Sequence, residues 1–165
     1  MDTNVVIRLT KTALVLFFGF YALLVAFGNL TDFNSNLMFI QHVLSMDTTF
    51  EGNSLMYRAI TSPTLQFTAY YLIILTEWFI AFACLYGSYR MARHLKSSNT
   101  TFHQEKKWGI IGLLVGISLW FFGFQVIGGE WFAMWQSQIW NGLDSAFRLT
   151  TYIGIALLAL MLKEG

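Results

Sequence analysis

Four long apolar stretches, separated by more polar segments, dominate the pattern of the chain. They cover residues 12–30, 65–86, 108–127 and 146–162. Each falls within the length range of transmembrane helices, which rise about 1.5 Å per residue and cross about 30 Å of hydrocarbon. The pattern predicts an all-α membrane protein, in which residues 1–165 form a single antiparallel four-helix transmembrane bundle.

Two longer connections leave the same side of this predicted bundle, over residues 31–64 and 128–145. In the first, apolar residues recur every three or four positions within residues 37–44, and again within residues 55–60. This spacing predicts short amphipathic helices that lie at the membrane interface, an interpretation that we prefer to a catalytic loop.

The second connection is rich in tryptophan. Trp131, Trp135 and Ile139 lie four positions apart, so one continuous helix would place all three on the same face. Gln136 and Trp140 lie beside them. Tryptophan at the headgroup level commonly anchors membrane proteins. Three tryptophans within ten residues exceed what anchoring requires, so a surface that binds a ligand or a partner is the alternative.

Composition agrees with a membrane environment. Only 12% of the residues are charged and 56% are hydrophobic, whereas soluble domains carry about 25% charged residues. The net charge is only +1. A nucleic-acid partner is therefore not expected, because it would require lysine and arginine clustered on one face.

The basic residues predict the orientation. Eight of the ten lysines and arginines fall on the side of the two termini, and Arg58 and Arg148 fall on the other. Lysine and arginine accumulate on the cytoplasmic side of membrane proteins. We therefore expect a multi-pass protein of the bacterial inner membrane, with both termini in the cytoplasm and with residues 31–64 and 128–145 in the periplasm.

Glu77 is the one ionisable residue deep inside a predicted span. A charge at that depth costs a few kcal/mol or more, so the group must be protonated, paired or in a wet cavity. One interpretation is functional: a proton relay, a cation ligand, or a contact to a lipid or quinone headgroup. The other is a neutral carboxyl that faces the bundle interior and bonds to another helix, with Ser118, Thr76 and Gln125 as candidate partners.

Two further features indicate packing. An ion pair between Arg148 and either Glu130 or Asp144 would fix the ends of the last two helices. Gly112 and Gly116 form a small-x-x-x-small pattern, which lets helix backbones approach closely.

Several classes of chemistry find no support. His42, His94 and His103 all lie outside the spans, so no histidine pair can ligate a haem inside the bilayer. No spacing typical of a zinc site, a phosphate-binding loop or a nucleophile elbow occurs. The lone Cys84 indicates packing rather than redox chemistry. We expect no catalytic residue, metal or cofactor.

Three segments carry a resemblance to a known family. They read MDTTF at 46–50, YRAITSP at 57–63 and GEWFAMWQS at 129–137. Over essentially its whole length the chain resembles a bacterial family of predicted small integral membrane proteins. The resemblance implies a four-helix membrane fold and no particular activity. It also implies that the predicted periplasmic face, which includes Asp47 and Arg58, carries the function.

We therefore expect a non-catalytic interaction or accessory subunit. Its tryptophan-rich face would engage membrane lipids, another integral membrane protein or a second copy of the chain. The alternative is a site for a small molecule, a quinone or an ion, centred on Glu77. The residues expected at the ligand or partner face are Glu77, Gln125, Glu130, Trp131, Trp135, Gln136, Trp140, Asp47 and Arg58.

Overall fold

The computed structural model describes residues 2–163, which are helical over most of their length and contain no strand. The α-helices are α1 (Thr3–Thr31), α2 (Phe33–Ser45), α3 (Pro63–Arg93), α4 (Asn99–Glu105), α5 (Lys107–Ile117) and α6 (Leu143–Met161), and a π-helix (Ser118–Trp131) continues α5. Short 3-10 turns occupy Met56–Arg58 and Met134–Gln136. The predicted all-α class is confirmed.

Four helical segments are long and apolar enough to cross a membrane. They are Thr3–Thr31, Pro63–Arg93, Asn99–Trp131 and Leu143–Met161. Each contains or closely overlaps one of the four predicted spans. The segments extend beyond the predicted bounds, mostly because α1 and α3 continue as helices through polar residues at their ends.

Small residues bring three of the long helices together. Gly112 of α5 lies against the backbone and sulfur of Cys84 in α3, and Gly87 lies against the backbone of Gly109. Gly116 faces the ring of Phe18 in α1. The predicted packing role of the glycine pattern and of buried Cys84 is confirmed, with each glycine serving a different neighbour.

Basic side chains close the bundle at the end that holds both described chain ends. Lys11 Nζ donates to Leu162 O (2.9 Å), and Lys106 Nζ donates to Leu160 O and Leu162 O (3.0 and 3.1 Å). Cations at a helix C-terminus are favoured by the helix dipole. We call residues 2–11, 94–106 and 161–163 the basic end, and residues 31–62 and 132–142, which lie opposite, the aromatic end.

The predicted helical turns at the aromatic end are confirmed. Leu37 and Ile40 of α2 are buried against Tyr70 and Ile74 of α3. A left-handed residue, Met46 (φ 56°), ends α2. The second predicted turn is the 3-10 helix at Met56–Arg58.

No single helix runs through Trp131, Trp135 and Ile139, so the shared face that their spacing would give does not form. The π-helix ends at Trp131, and Ala133 takes a left-handed conformation (φ 51°) that an α-helix cannot contain. Beyond the 3-10 turn, the Ser137 hydroxyl accepts from the N–H of Trp140 (2.9 Å) instead of leaving that group to a helix.

Candidate functional site

Glu77 faces the interior of the bundle, as predicted, and is only 2% exposed. Its Oε2 accepts a hydrogen bond from Asn29 Nδ2 at 2.6 Å. The Tyr70 hydroxyl donates to the backbone oxygen of the same Asn29 at 2.8 Å. Tyr70 and Glu77 are seven residues apart, which places them on one face of α3. The three residues therefore form one polar cluster between α1 and α3.

The partners predicted for Glu77 are wrong. The hydroxyls of Thr76 and Ser118 donate to the carbonyls of Leu72 (2.7 Å) and Leu114 (2.9 Å), each four residues earlier in its own helix. Gln125 Nε2 instead donates to Thr150 Oγ1 of α6 at 2.8 Å.

The polar cluster lines a cavity of about 190 Å³. Asn29, Tyr70 and Glu77 form its polar wall, together with Asn36 of α2. The remaining lining residues are apolar: Val25, Phe39, Ile40, Ile73, Trp120 and Phe124. A buried carboxyl that accepts one hydrogen bond keeps capacity for further ones. The cavity can therefore hold a polar group against Glu77 and apolar groups elsewhere.

An apolar cleft of about 270 Å³ adjoins this cavity. Phe39, Ile40, Ile73 and Phe124 line both spaces, so they form the partition between them. The cleft lies between α2, α3 and the π-helix, and its wall includes Leu72, which is 59% exposed. The cleft therefore opens toward the surroundings of the bundle on the α3 side.

The tryptophan-rich connection presents exposed aromatic rings at the aromatic end. Trp131 is 52% exposed and Trp135 is 48% exposed. The Arg58 guanidinium lies 4.6 Å from the centre of the Trp131 ring, and its Nη1 donates to Trp131 O. Trp135 meets the ring of Phe50 edge-on at 5.7 Å. Arg58 and Trp131, predicted at one face, do lie together.

Other residues assigned to that face have structural contacts. Buried Gln136 accepts from the N–H of Phe50 at 3.1 Å, and Ser137 Oγ lies 2.8 Å from Thr48 Oγ1. Asp47 pairs with His42 at 2.8 Å, and the His42 ring stacks on Trp140 at 4.6 Å. These contacts fasten the two connections of the aromatic end to each other.

The site residues predicted from the sequence therefore fall into separate places. Glu77 lines the interior cavity, while Gln125 bonds to α6 and does not line it. Glu130, Trp131 and Arg58 border a different hollow, at the aromatic end. Sequence reasoning missed Asn29, Tyr70 and Trp120. Asn29 and Tyr70 are polar or amphipathic residues toward span ends, where such residues are common, and Trp120 is one aromatic residue among many inside an apolar span.

The predicted ion pair of Arg148 is also wrong. Within residues 2–163 the ion pairs are His42–Asp47 and Arg90–Glu105. Arg148 Nη2 donates instead to Ser145 Oγ at 3.1 Å. Thr150, two residues after Arg148, faces the π-helix, because its hydroxyl accepts a hydrogen bond from Gln125. Two residues correspond to a rotation of about 200° around an α-helix. Arg148 consequently lies on the far side of α6 from Glu130.

A scan against protein-family models matches residues 7–163 to the family described as predicted small integral membrane protein (DUF2165). The chain belongs to this family. The match agrees with the resemblance seen in the sequence and with four membrane-spanning segments. Neither the search of curated proteins nor the search of solved structures found a match.

In this family member, the cavity that contains the Glu77 carboxyl adjoins an apolar cleft. Within the described part of the chain, no group of three or more His, Cys, Asp or Glu is placed to hold a metal ion. The cavity has a single carboxyl among its lining residues, together with two amides and one phenol. Such a lining suits hydrogen bonding to a neutral polar group.

Proposed function

We propose that this integral membrane protein binds a small amphipathic molecule taken up from the lipid phase, without transforming it chemically. The observation that carries the proposal is Glu77, a 2% exposed acid that lines a cavity and, among residues 2–163, accepts one side-chain hydrogen bond, from Asn29. Intramembrane acids are costly and mark functional sites by default.

The shape of the two spaces supports a molecule with a polar head and an apolar body. The head would lie against Glu77, Asn29 and Tyr70, which line the inner cavity. The body would occupy the cleft, whose lining is apolar apart from backbone atoms. Quinones have this chemistry, and one carboxyl with amide neighbours suits their carbonyl or hydroxyl groups better than it suits a metal ion.

A larger side chain in the partition between the cavity and the cleft tests this proposal, because it reduces the space available to a bound molecule. Ile73 lines both the cavity and the cleft, so the larger side chain of Ile73→Trp should fill space in both. Leu75→Trp introduces the same ring on α3 at a side chain that is 65% exposed, and it serves as the matched control. Each variant is purified in mild detergent, and a photoactivatable short-chain quinone is cross-linked to it.

We expect the quinone to label α3 and the π-helix in wild type and in Leu75→Trp, and to label Ile73→Trp and Glu77→Gln much less. Equal labelling of all four proteins would refute a site at Glu77. Mass spectrometry of co-purified small molecules on the same samples identifies a natural occupant, which should be lost from Ile73→Trp.

A second candidate function is association with another membrane protein through the aromatic end. Its support is the exposure of Trp131, Trp135 and Ile139, the last at 76%. Aromatic residues are enriched in the buried centres of protein interfaces. Under this proposal the protein is an accessory subunit whose aromatic end is periplasmic and whose basic end is cytoplasmic, in the inner membrane of a bacterium, as the lysine and arginine distribution favours.

Native gel electrophoresis of membrane extracts tests the second candidate. Trp131→Ala and Trp135→Ala should release the protein from a larger complex, while Trp108→Ala at the other end should not. Migration of the wild type as a single monomer would contradict it.

A further inference from the structure

A groove between α1 and α6 ends in a charged group. Its volume is about 520 Å³, and its lining includes Phe17, Tyr21, Ser145, Arg148 and Tyr152. We propose that this groove binds one glycerophospholipid, with the lipid phosphate on Arg148 and an acyl chain along the aromatic side chains. The groove is separate from the Glu77 cavity, so the inference does not rest on the proposed function.

The depth of Arg148 favours a guanidinium that lies at the interface, where anionic groups of lipids are present. Helix α6 has 19 residues, which gives a length of about 28 Å, so it barely crosses the hydrocarbon layer. Arg148 lies five residues after the first residue of α6, or about 7.5 Å along the axis. An arginine at that depth is costly unless its head reaches the interface or finds an opposite charge.

The side chain of Arg148 extends toward the interface. Its Nη2 donates to Ser145 Oγ, one turn nearer to the start of α6. This direction agrees with the tilt of helical side chains toward the N-terminus. The guanidinium is therefore directed away from the middle of α6 and toward the end where α6 begins.

Among residues 2–163, no acid forms an ion pair with this guanidinium. Neither Glu130 nor Asp144 pairs with Arg148, and within residues 2–163 the ion pairs lie elsewhere. The hydroxyls of Ser145 and Tyr21 lie in the same groove, and both can donate hydrogen bonds. A phosphate is the anion that a guanidinium and hydroxyl donors suit, because it offers several acceptor oxygens.

The order of polarity along the groove matches that of a phospholipid. Arg148, Ser145 and Tyr21 form its polar part, nearer to the aromatic end. Phe17 and Tyr152 each lie four residues deeper on α1 and α6, or about 6 Å nearer to the bilayer centre. Phe17 is 63% exposed, and the Tyr152 hydroxyl is already bonded to Leu14 O, so this deeper part offers mainly ring surface. An acyl chain fits that surface.

Photo-cross-linking in nanodiscs tests the proposal. A phosphatidylglycerol probe carries a diazirine on one acyl chain, and a diacylglycerol probe carries identical chains without the phosphate. Label is mapped to peptides that cover residues 12–21 and 145–152. We expect the phosphatidylglycerol probe to label both peptides, and Arg148→Gln to lower that labelling about tenfold, since one charge-assisted contact is lost.

Two variants make the outcome specific. Arg148→Lys keeps the charge and should retain more label than Arg148→Gln. Arg93→Gln removes the same charge from the last residue of α3, next to the basic end. Arg93 donates to the Tyr89 hydroxyl, and its loss should leave the labelling unchanged. If Arg148→Gln does not fold, the two probes are compared on wild type and Arg148→Lys. Stronger labelling by the phosphatidylglycerol probe than by the diacylglycerol probe then supports the proposal, and equal labelling refutes it.

Four results would overturn the proposal. Two concern the phosphate contact: equal labelling by the diacylglycerol probe, and unchanged labelling of folded Arg148→Gln. Loss of label on addition of inorganic phosphate alone would assign the groove to a free anion. Conversion of a dimer to a monomer by Arg148→Gln, with lipid labelling unchanged, would assign the groove to a second copy of the chain.

Discussion

Asn29→Ala should destabilise the bundle more than Glu77→Leu does, although the two changes break the same hydrogen bond. Asn29 Nδ2 donates to Glu77 Oε2 at 2.6 Å, and Glu77 is 2% exposed. Asn29→Ala leaves the buried carboxyl without this donor, which costs about 1–3 kcal/mol. Glu77→Leu removes the buried acid and leaves the Asn29 amide without this acceptor, but Asn29 is only partly buried. The loss should therefore be closer to that of an interhelical hydrogen bond, about 0.6 kcal/mol on average in membranes.

The Asn29→Ala/Glu77→Leu double variant makes the comparison decisive. It should be more stable than Asn29→Ala alone, because it no longer buries an unmatched acid. The bond from Tyr70 to the backbone oxygen of Asn29 remains in all three variants. The free energy of unfolding is measured in mixed micelles with increasing sodium dodecyl sulfate, followed by circular dichroism.

Thr76→Ala is the control for that series. Its hydroxyl donates to Leu72 O within α3, so its loss should change the free energy of unfolding by less than about 0.5 kcal/mol. The reasoning is refuted if Asn29→Ala costs no more than Glu77→Leu, or if the double variant is less stable than Asn29→Ala.

Three further predictions concern protonation, topology and packing. Infrared spectra near pH 7 should contain a protonated-carboxyl band that disappears in Glu77→Gln, because a charge in the span is costly; a missing band contradicts this. In a Cys84→Ala background, an impermeant thiol reagent added outside should label Asn34→Cys and spare Lys96→Cys; the reverse overturns the orientation. Gly112→Val should lower the free energy of unfolding by about 1–3 kcal/mol through overpacking against Cys84, whereas Gly154→Ala, with open space around it, should not.

The spans could be predicted because hydrocarbon thickness dictates a length of about 20 apolar residues for a crossing helix. Their ends could not, because nothing in hydropathy stops a helix where the membrane stops. Residues 3–11 continue α1 through Arg8, whose guanidinium donates to the carbonyls of Leu95 and Ser97 beyond α3. This contact joins positions nearly ninety residues apart, so the hydropathy of residues 3–11 cannot predict it.

Glu77 could be found from the sequence, but its partner could not. Serine and threonine in helices often bond to the carbonyl four residues earlier, which removes Thr76 and Ser118 as donors to another helix. Asn29 lies near the end of α1, where a polar residue is unremarkable. The choice between these donors depends on which face of α1 meets α3, and only packing determines that.

The tryptophan spacing was misleading for a backbone reason. A four-residue interval describes a helix face only while the backbone stays helical. Ala133, with φ at 51°, breaks the helix between Trp131 and Trp135. Alanine is a strong helix former, so neither its identity nor the spacing predicts a left-handed residue there.

The aromatic end and the interior cavity are linked through Phe39. Its side chain lines both the cavity and the cleft. It packs on Gly142, where an added Cβ would come within 3.0 Å of the Phe39 ring, and it meets the rings of Trp140 and Phe124. The segment that ends the tryptophan-rich connection therefore sets the position of a wall of the Glu77 site. Trp140 and Gly142 can thus affect the interior site through their packing on Phe39, without lining the cavity themselves.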